Sequence, residues 1–322
     1  MYAIGLESYG GPEVLYQVEL PDPHPAPGQV RVKVHAAGIN PVDVMVRDGS
    51  LAQWFPEIKP PLVPGMDIAG IIDEVGESID PQFNAALGQA VVGVVNNLGS
   101  YGGYSQYVCL PAASVIPVPA GATFPSAASF LMNALTARNA LDVLSLPKGS
   151  TLVVTGAAGA VGAYTVALAN DEGLRVVAIA SPQDEESLRT AGATKVIARG
   201  DDIASRVRKV FPTGVDAVVD AACLGNQIAP AIRDGGTIVT LRHGNDGGFV
   251  RGIKGVFVSV RDHFTNHAAI VRLGQQVTSG LLTLRVAATF PATDAANAHR
   301  RFDEGGLRGR IILDFDGHKE HQ

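Results

Sequence analysis

Cysteine is nearly absent from this chain of 322 residues, which contains only Cys109 and Cys223. Two thiols cannot form a disulfide framework or a four-thiolate zinc site. This usage is typical of the reducing cytoplasm, so we expect a cytoplasmic protein. We interpret Cys223, which follows a predicted strand, as a small buried hydrophobic residue.

Charged residues are also scarce, at 17% of the chain, and acidic residues outnumber basic ones by 31 to 25. No dense block of Lys or Arg is present, and the net charge is −6. Because a nucleic-acid-binding surface needs a basic stripe, we expect no nucleic-acid partner. The apolar fraction of 46% is high enough to exclude a mainly disordered chain.

Long uninterrupted hydrophobic runs are missing as well. Residues 81–137 and 149–170 are uncharged, but prolines interrupt the first stretch and three glycines interrupt the second. Neither contains about twenty continuous apolar residues, which a membrane-spanning helix requires. The first residues also lack a basic segment followed by an apolar one. We therefore expect no membrane span and no signal peptide.

The first third of the sequence has the pattern of an irregular β unit. Residues 29–35 alternate polar and apolar side chains, as a strand with one solvated face does. Residues 69–75 and 90–95 are further short apolar runs between turn residues. Frequent Pro and Gly predict many short strands and loops, with a short helix after Asn40-Pro41.

The pattern changes near Phe124. An Ala- and Leu-rich stretch without Pro or Gly from Ser126 to Leu144 predicts one long helix, and strands then alternate with helices. Predicted strands cover residues 151–155, 174–180, 195–197, 217–220, 237–240 and 255–260, and predicted helices cover residues 161–171, 184–191 and 203–210. Continuous apolar strands separated by helices indicate a parallel sheet that is covered on both faces. The tail adds a helix over 268–279 and a strand over 310–315.

These changes of pattern predict an α/β protein with two domains. The irregular β domain contains residues 1–122 and 265–322 and is discontinuous in sequence. A doubly wound, Rossmann-type domain of residues 123–264 is inserted between its two parts.

A glycine-rich turn carries the functional signal. The strand Thr151–Thr155 leads directly into Gly156-Ala-Ala-Gly-Ala-Val-Gly162, and a predicted helix follows. The first glycine permits a tight turn, the second lets the backbone approach a pyrophosphate, and the third lets the helix approach the strand. Since the turn lies between a buried strand and a helix, it predicts dinucleotide binding.

The second strand bears on the choice between NAD and NADP. It ends at Ile179-Ala180-Ser181 without the carboxylate that would bind a ribose 2′-hydroxyl. Ser181 can donate to a 2′-phosphate, and Arg199 after the third strand is the nearest candidate cation. Asp184, Glu185 and Glu186 oppose a phosphate if they face it, although acidic residues are also favourable at a helix N-terminus. We expect NADP(H), and NAD(H) stays open.

With these features in hand, the chain resembles the zinc-independent quinone oxidoreductase branch of the medium-chain dehydrogenase/reductase superfamily along its whole length. The resemblance implies a GroES-like β domain beside the Rossmann-type domain. The matching segments are Ala36–Asp43, Pro64–Gly70, Gly102–Tyr107, Ala134–Ala137, Gly156–Gly162 and Gly309–Leu313.

The same resemblance bears on metal binding. Where zinc-dependent relatives have ligands, this chain has Asn40 and Gly65-Met66-Asp67, and it has no cluster of cysteines. Tetrahedral zinc needs three or four converging ligands, so we expect no metal.

The resemblance also implies the reaction. NADPH would transfer hydride to the β-carbon of an enone or to a quinone, and hydrogen-bond donors would stabilise the charge that develops on the carbonyl oxygen. We expect a small hydrophobic carbonyl or quinone substrate. An enoyl-thioester reductase, a specialised biosynthetic reductase and a cofactor-binding pseudoenzyme stay open as alternatives.

Site residues follow from the matching positions. Asn40 would lie beside the nicotinamide, or else only cap the helix after Pro41. Met45 replaces a frequent Tyr that is often assigned to substrate contact or proton donation, so the choice between water and a side chain as proton donor stays open. We expect a cleft between the two domains, near Asn40, Asn133 and Thr240-Leu241. The expected substrate contacts are Met45 and Tyr101, and the expected cofactor contacts are Asn133, Gly156, Ala158, Gly159, Ala160, Val161, Ser181, Arg199, Leu241, Phe257 and Arg310.

Two substitutions relative to the family weaken the assignment of NADP: Asp184 replaces a Lys and Ala198 replaces a Tyr. Residues 255–260 form an apolar segment at the end of the α/β series, where an exposed sheet edge invites pairing. The family pairs subunits at this edge, so we expect a homodimer.

Overall fold

The computed structural model describes residues 1–54, 59–97, 101–244 and 246–317. The chain divides into two compact units, of which the first contains residues 1–132 and 264–322 and the second contains residues 133–263. The predicted domain boundaries, after residues 122 and 264, stay a prediction.

Fifteen strands and eight α-helices lie in these described ranges. The strands are β1 (Tyr2–Gly5), β2 (Tyr16–Glu19), β3 (Gln29–Gly38), β4 (Asp67–Val75), β5 (Ala90–Val94), β6 (Tyr107–Pro111), β7 (Val115–Pro117), β8 (Thr151–Thr155), β9 (Arg175–Ala180), β10 (Lys195–Ala198), β11 (Val215–Asp220), β12 (Ile232–Thr240), β13 (Lys254–Phe257), β14 (Val286–Pro291) and β15 (Arg310–Asp314). The α-helices are α1 (Pro41–Arg47), α2 (Phe124–Ala127), α3 (Leu131–Leu144), α4 (Ala160–Asp171), α5 (Glu185–Thr190), α6 (Ile203–Val210), α7 (His267–Thr278) and α8 (Ala295–Asp303).

The first unit is built on a sheet in the order β14-β15-β3-β4-β5-β7, with β6 paired to β3. Its neighbouring strands are antiparallel except for β14 and β15. On β3 the alternating residues Val30, Val32 and Val34 are buried in the core, as the period of two predicts. The strand β3 ends at Gly38. Asn40 follows two residues later, and α1 starts at Pro41.

The second unit is a six-stranded sheet in the order β10-β9-β8-β11-β12-β13, and every pair is parallel. All five residues of β8 are buried, because a parallel strand in the middle of a sheet is covered on both faces. The strand order reverses between β8 and β11. The prediction of a doubly wound parallel sheet is therefore confirmed, and β13 lies at its edge.

The long helix predicted from Ser126 to Leu144 was wrong, because the chain forms α2 and α3 instead. Ser129 donates from both its backbone N–H (3.1 Å) and its hydroxyl (2.7 Å) to the carbonyl of Ser126. These bonds replace the i→i−4 pattern with a tighter turn that ends α2. A periodicity of apolar residues does not detect such local competition for a carbonyl.

Three further features differ from the sequence-based expectation. The strand β14 and the helix α8 were missed; β14 is largely exposed and ends at Pro291, so it lacks the apolar run of a buried strand. Cys223 was predicted to be buried but is exposed. It has a left-handed backbone with φ of 55°, since it lies in the turn that follows β11 rather than in the sheet.

No α-helix in the described ranges is both long enough and apolar enough to cross a membrane.

Asp216, on β11, forms hydrogen bonds with residues of both neighbouring strands, β8 and β12. Its carboxylate accepts from the backbone N–H of Thr151 at the start of β8 and from Nε of Arg233 on β12, both at 2.8 Å. Burial acts to raise the pKa of Asp216, but these two hydrogen bonds hold the pKa below its ordinary value. The carboxylate is therefore ionised and bonded at neutral pH.

We expect Asp216→Ala to lower the free energy of unfolding by about 1–2 kcal/mol at pH 7, because both donors lose a charged acceptor. Urea unfolding followed by circular dichroism measures this change. Asp201→Ala, which removes an exposed carboxylate from a turn of the same unit, is the matched control. An equal effect in the two variants would contradict the fastening role.

Candidate functional site

The glycine turn after β8 has the geometry that its spacing predicts. Gly156 has a φ of +58°, which residues with a side chain rarely adopt, and its carbonyl accepts from the N–H of Gly159 at 2.9 Å. A Cβ on Gly162 would lie 2.7 Å from Cα of Ala157, so this glycine is required by the close approach of α4 to the turn. A Cβ on Gly159 would meet only the Gly156 carbonyl oxygen, at 3.1 Å.

The turn opens directly into the N-terminus of α4, which starts at Ala160 and runs for 12 residues. The first N–H groups of a helix have no intrahelical acceptor, and the helix dipole is positive at this end. Ala158, Ala160 and Val161 are half-buried around this terminus. The turn and the helix together therefore fit a diphosphate group.

The structure brings the predicted 2′-phosphate residues to the same edge of the sheet. The backbone N–H of Ala157 donates to Ile179 at 3.2 Å, and that of Arg199 donates to Ala180 at 3.0 Å. Ser181, at the end of β9, is half-buried, and Arg199, at the end of β10, is exposed. Because carboxyl ends of parallel strands share one edge, the glycine turn, Ser181 and Arg199 form one continuous region.

The acidic run after β9 belongs to helix α5. Asp184 is the N-cap residue and is buried, while Glu185 and Glu186 lie in the first turn. Glu185 forms an ion pair with Arg189 at 2.7 Å on the same helix. The helix-terminus interpretation of these residues is therefore consistent with the structure.

The sequence analysis did not predict the hydrogen bonds that join the ends of the central strands β8 and β11. The hydroxyl of Thr155, the last residue of β8, donates to Asp220, the last residue of β11, at 2.6 Å. The other carboxylate oxygen of Asp220 accepts from the N–H of Gly225 at 2.7 Å, and the Thr155 hydroxyl accepts from Ala222 at 3.0 Å. The signal in the sequence that could have revealed these bonds is a carboxylate at the end of an apolar strand.

The remaining predicted residues of the second unit lie further along the sheet or on a helix. Leu241 follows the end of β12, and Phe257 is the last residue of β13, in register with Thr240. Both are half-buried, and the Phe257 ring meets that of His243 edge-on at 5.4 Å. Asn133 lies on α3 and is buried.

In the first unit, Asn40 is fully buried at the N-cap of α1. Its backbone N–H donates to Oδ2 of Asp43 at 2.8 Å, and its side-chain Nδ2 donates to Oδ2 of Asp67 at 2.9 Å. The helix-cap interpretation thus has direct support, and the assignment of Asn40 to the reaction stays a prediction.

Asp67 is a fully buried carboxylate beside Asn40. Burial raises its pKa to about 6, against the opposing effects of hydrogen bonds from Met132 and Asn40 and of the positive charge of Arg310. The N–H of Met132 donates to Oδ1 at 2.8 Å. Arg310, the first residue of β15, is itself buried. Its positive charge lowers the pKa of Asp67.

A second buried group surrounds Asp43 on α1. Oδ1 of Asp43 accepts from the N–H of Gly65 at 2.9 Å, and the Tyr104 side chain forms a hydrogen bond with the same carboxylate. The Tyr104 hydroxyl also lies 3.2 Å from Nε2 of His299 on α8. Nη1 of Arg47 donates to Nδ1 of His299 at 3.1 Å.

Met45 and Tyr101 are the predicted substrate residues. Met45 lies on α1 and is half-buried, and Tyr101 is half-buried and packs against the core of the first unit. Their contact with a substrate stays a prediction.

Comparisons with known proteins give family matches to two separate parts of the chain. Residues 26–120 match the alcohol dehydrogenase GroES-like domain, and residues 191–313 match a family described as zinc-binding dehydrogenase. Quinone oxidoreductase from Sus scrofa is 28% identical over 97% of both chains. The chain belongs to the quinone oxidoreductase branch of the medium-chain dehydrogenase/reductase superfamily. The predicted GroES-like and Rossmann-type fold is thereby confirmed.

Two further relatives extend the comparison. The synaptic vesicle membrane protein VAT-1 homolog-like of Mus musculus is 31% identical over 70% of this chain, which spans about half (52%) of that relative's length. A mycobacterial protein solved in complex with NADPH is 27% identical, with a TM-score of 0.83 over 98% of this chain and 100% of that one.

The described residues contain no group of three or more His, Cys, Asp or Glu side chains that could hold a metal ion. The absence of a metal from the protein stays a prediction.

Burial, followed by the positive charge of Arg47, lowers the pKa of His299 to about 3. A histidine with a pKa below its ordinary value of about 6.5 stabilises the fold at high pH, and this stabilisation is lost as the pH falls from about 6.5 toward 3. We therefore expect the free energy of unfolding of His299→Gln to fall less than that of wild type as the pH is lowered.

Specifically, the stability deficit of His299→Gln relative to wild type should shrink by roughly 2–3 kcal/mol between pH 7.5 and pH 4.5. Urea unfolding at the two pH values measures this change. His243→Gln removes an exposed histidine and should keep the wild-type dependence. A deficit for His299→Gln that does not change with pH would contradict the expectation.

Proposed function

We propose that this protein is an NADPH-dependent oxidoreductase that reduces quinones or α,β-unsaturated carbonyl compounds. The observation that carries the proposal is the turn Gly156–Gly162 at the point where the strand order reverses, which fits a dinucleotide. Bound there, the cofactor supplies a hydride. Gly156, Gly159 and the first turn of α4 would hold its diphosphate.

The preference for NADPH is proposed from the ends of β9 and β10. Ala180 and Ser181 leave the position without a carboxylate that would repel a 2′-phosphate, and Arg199 is exposed beside it. The similar mycobacterial protein was solved with NADPH, which supports the same choice. The first-turn glutamates of α5 would oppose it only if they faced the phosphate.

The acceptor is proposed from the first unit. Met45 stands where the family has a Tyr that is assigned to substrate contact or proton donation. Without that hydroxyl, the chain's own contribution would rest mainly on orienting the acceptor, with water as the proton source at the α-carbon. We assign the orienting role to Asn40 and substrate contacts to Met45 and Tyr101.

The test is the initial rate of NADPH oxidation with a panel of quinones, alkenals and enoyl thioesters. Turnover of quinones or alkenals above thioesters supports the proposal. Preference for enoyl thioesters, or for one acceptor among close analogues, would favour an enoyl-thioester or specialised biosynthetic reductase instead. Tight NADPH binding with no turnover on the whole panel would indicate a cofactor-binding pseudoenzyme.

For the cofactor, we expect NADPH to bind at least tenfold more tightly than NADH, because Arg199 compensates the 2′-phosphate charge. Arg199→Ala should remove most of this preference in fluorescence titrations with both cofactors. Lys195→Ala, at the opposite end of the same strand, is the charge-matched control and should leave it unchanged. Equal binding of the two cofactors to wild type would mean that the acidic residues of α5 dominate.

For the acceptor, we expect Asn40→Ala to lower kcat with a quinone by at least tenfold while it changes the Kd of NADPH less than threefold. Asn40→Ser, which keeps an oxygen for helix capping but lacks the amide donor to Asp67, should lower kcat similarly. Met45→Ala should mainly raise the KM of the acceptor. Unchanged kinetic constants in Asn40→Ala would leave Asn40 as a helix cap alone.

We also propose a cytoplasmic homodimer. Both cysteines are free, as the reducing cytoplasm favours. β13 is an edge strand of the six-stranded sheet, and an exposed edge can pair with the same edge of a second copy. We expect sedimentation at micromolar concentration to give twice the monomer mass, and Phe257→Pro to give the monomer mass, since proline removes an N–H that faces the open edge of β13. A monomeric wild type would rule out this assembly.

A further inference from the structure

We propose that Tyr104 and His299 are positioning residues, which order a chain of hydrogen bonds from Arg47 to Asp43 and thereby hold the segment that carries Asn40. The kinetic consequence of this inference rests on the proposed function, because that function assigns Asn40 to the reaction. The structural consequence does not.

The direction of the chain follows from the chemistry of its members. A guanidinium can only donate, so the contact from Arg47 places a lone pair on Nδ1 of His299. The proton of the neutral ring must then be on Nε2, which donates to the Tyr104 oxygen. The hydroxyl proton of Tyr104 is left for the Asp43 carboxylate. Only one arrangement of protons satisfies all three contacts.

The pKa values of the two middle groups are consistent with this arrangement. Burial and the charge of Arg47 keep His299 neutral. Burial, and next the negative charge of Asp43 and the hydrogen bond to it, raise the pKa of Tyr104 well above its ordinary value. Neither group therefore changes its protonation near neutral pH, and the order of the chain persists.

The chain ends at the carboxylate that joins two segments of the first unit. Asp43 accepts from the backbone of Asn40 at the start of α1 and from the backbone of Gly65. Gly65 leads into Asp67, whose carboxylate accepts from the Asn40 side chain. The position of Asp43 therefore sets the Asn40 amide through both its backbone and its side-chain partner.

The chain of hydrogen bonds contributes to the orientation of the segment that carries Asn40 more than to the stability of the fold. Its polar groups are buried, and buried ionic networks often add little net stability compared with apolar packing of the same volume. Where such a network helps, it selects one arrangement of the groups around it. We therefore expect its loss to appear in kcat and in the environment of Asn40.

The kinetic test uses Tyr104→Phe, which keeps the ring and removes the hydroxyl. With 1,4-naphthoquinone as acceptor, we expect kcat to fall about tenfold and the KM of NADPH to change less than twofold, because misplaced groups lose rate rather than cofactor affinity. Tyr107→Phe, on β6, is the matched control and should keep wild-type constants. Arg47→Met should lower kcat similarly, and Arg47→Lys, which still donates, should recover part of the loss.

The structural test is nuclear magnetic resonance of the ¹⁵N-labelled protein. The Asn40 side-chain amide signals, identified by their loss in Asn40→Ser, should shift in Tyr104→Phe and Arg47→Met but not in Tyr107→Phe. The ring nitrogens of His299, identified by their loss in His299→Gln, should report a proton on Nε2 at pH 7 in wild type.

Shifted Asn40 signals together with lower kcat in Tyr104→Phe support the proposal. Unshifted Asn40 signals, a proton on Nδ1 of His299, or an unchanged kcat in an active enzyme would each overturn it. If wild type turns over no acceptor in the panel, the proposed function fails, and the Asn40 and His299 signals still decide whether the chain positions this segment.

Discussion

The first unit depends on keeping two buried carboxylates satisfied. An ionised carboxylate without partners is costly in a protein interior, so each must collect several donors or become neutral. Asp43 does so with the backbones of Asn40 and Gly65 and with Tyr104. Asp67 does so with the Met132 backbone and the Asn40 amide. Because these donors come from separate segments, satisfying the carboxylates fixes where those segments meet.

The second unit solves the same problem at the carboxyl edge of its sheet. Asp220 accepts from Thr155 and from the Gly225 backbone, so one carboxylate fastens the ends of the two strands between which the strand order reverses. The glycine turn begins one residue after Thr155. A rigid strand end beside a turn with a left-handed glycine gives backbone donors a fixed direction, which is what binding a diphosphate requires.

Membership of the quinone oxidoreductase branch constrains the architecture more tightly than the chemistry. At 28% identity to the quinone oxidoreductase of Sus scrofa, the chain keeps the glycine turn but has Met45 and Asp184 where the family has Tyr and Lys. The fold tolerates both changes because neither residue holds a strand in register. One change removes a hydroxyl and the other reverses a charge, so the chemistry of side chains can diverge while the sheets stay the same.

The sequence alone determined the features that depend on neighbours in the chain. It predicted the parallel strands, the glycine turn and the short helix after Asn40-Pro41, because periodicity, spacing and turn residues act within about one turn or one strand. It did not predict the partners of Asp43 or the exposure of Cys223, and it missed the break between α2 and α3. Tyr104 and His299 are 195 residues apart, and Arg47 and His299 are 252 apart. A pattern of apolar positions predicts that a residue is buried, but it does not identify the residues that contact it. Only the tertiary structure decides which distant donor meets which carboxylate, because that choice is made by the packing of whole elements and by the cost of leaving a buried charge unpaired.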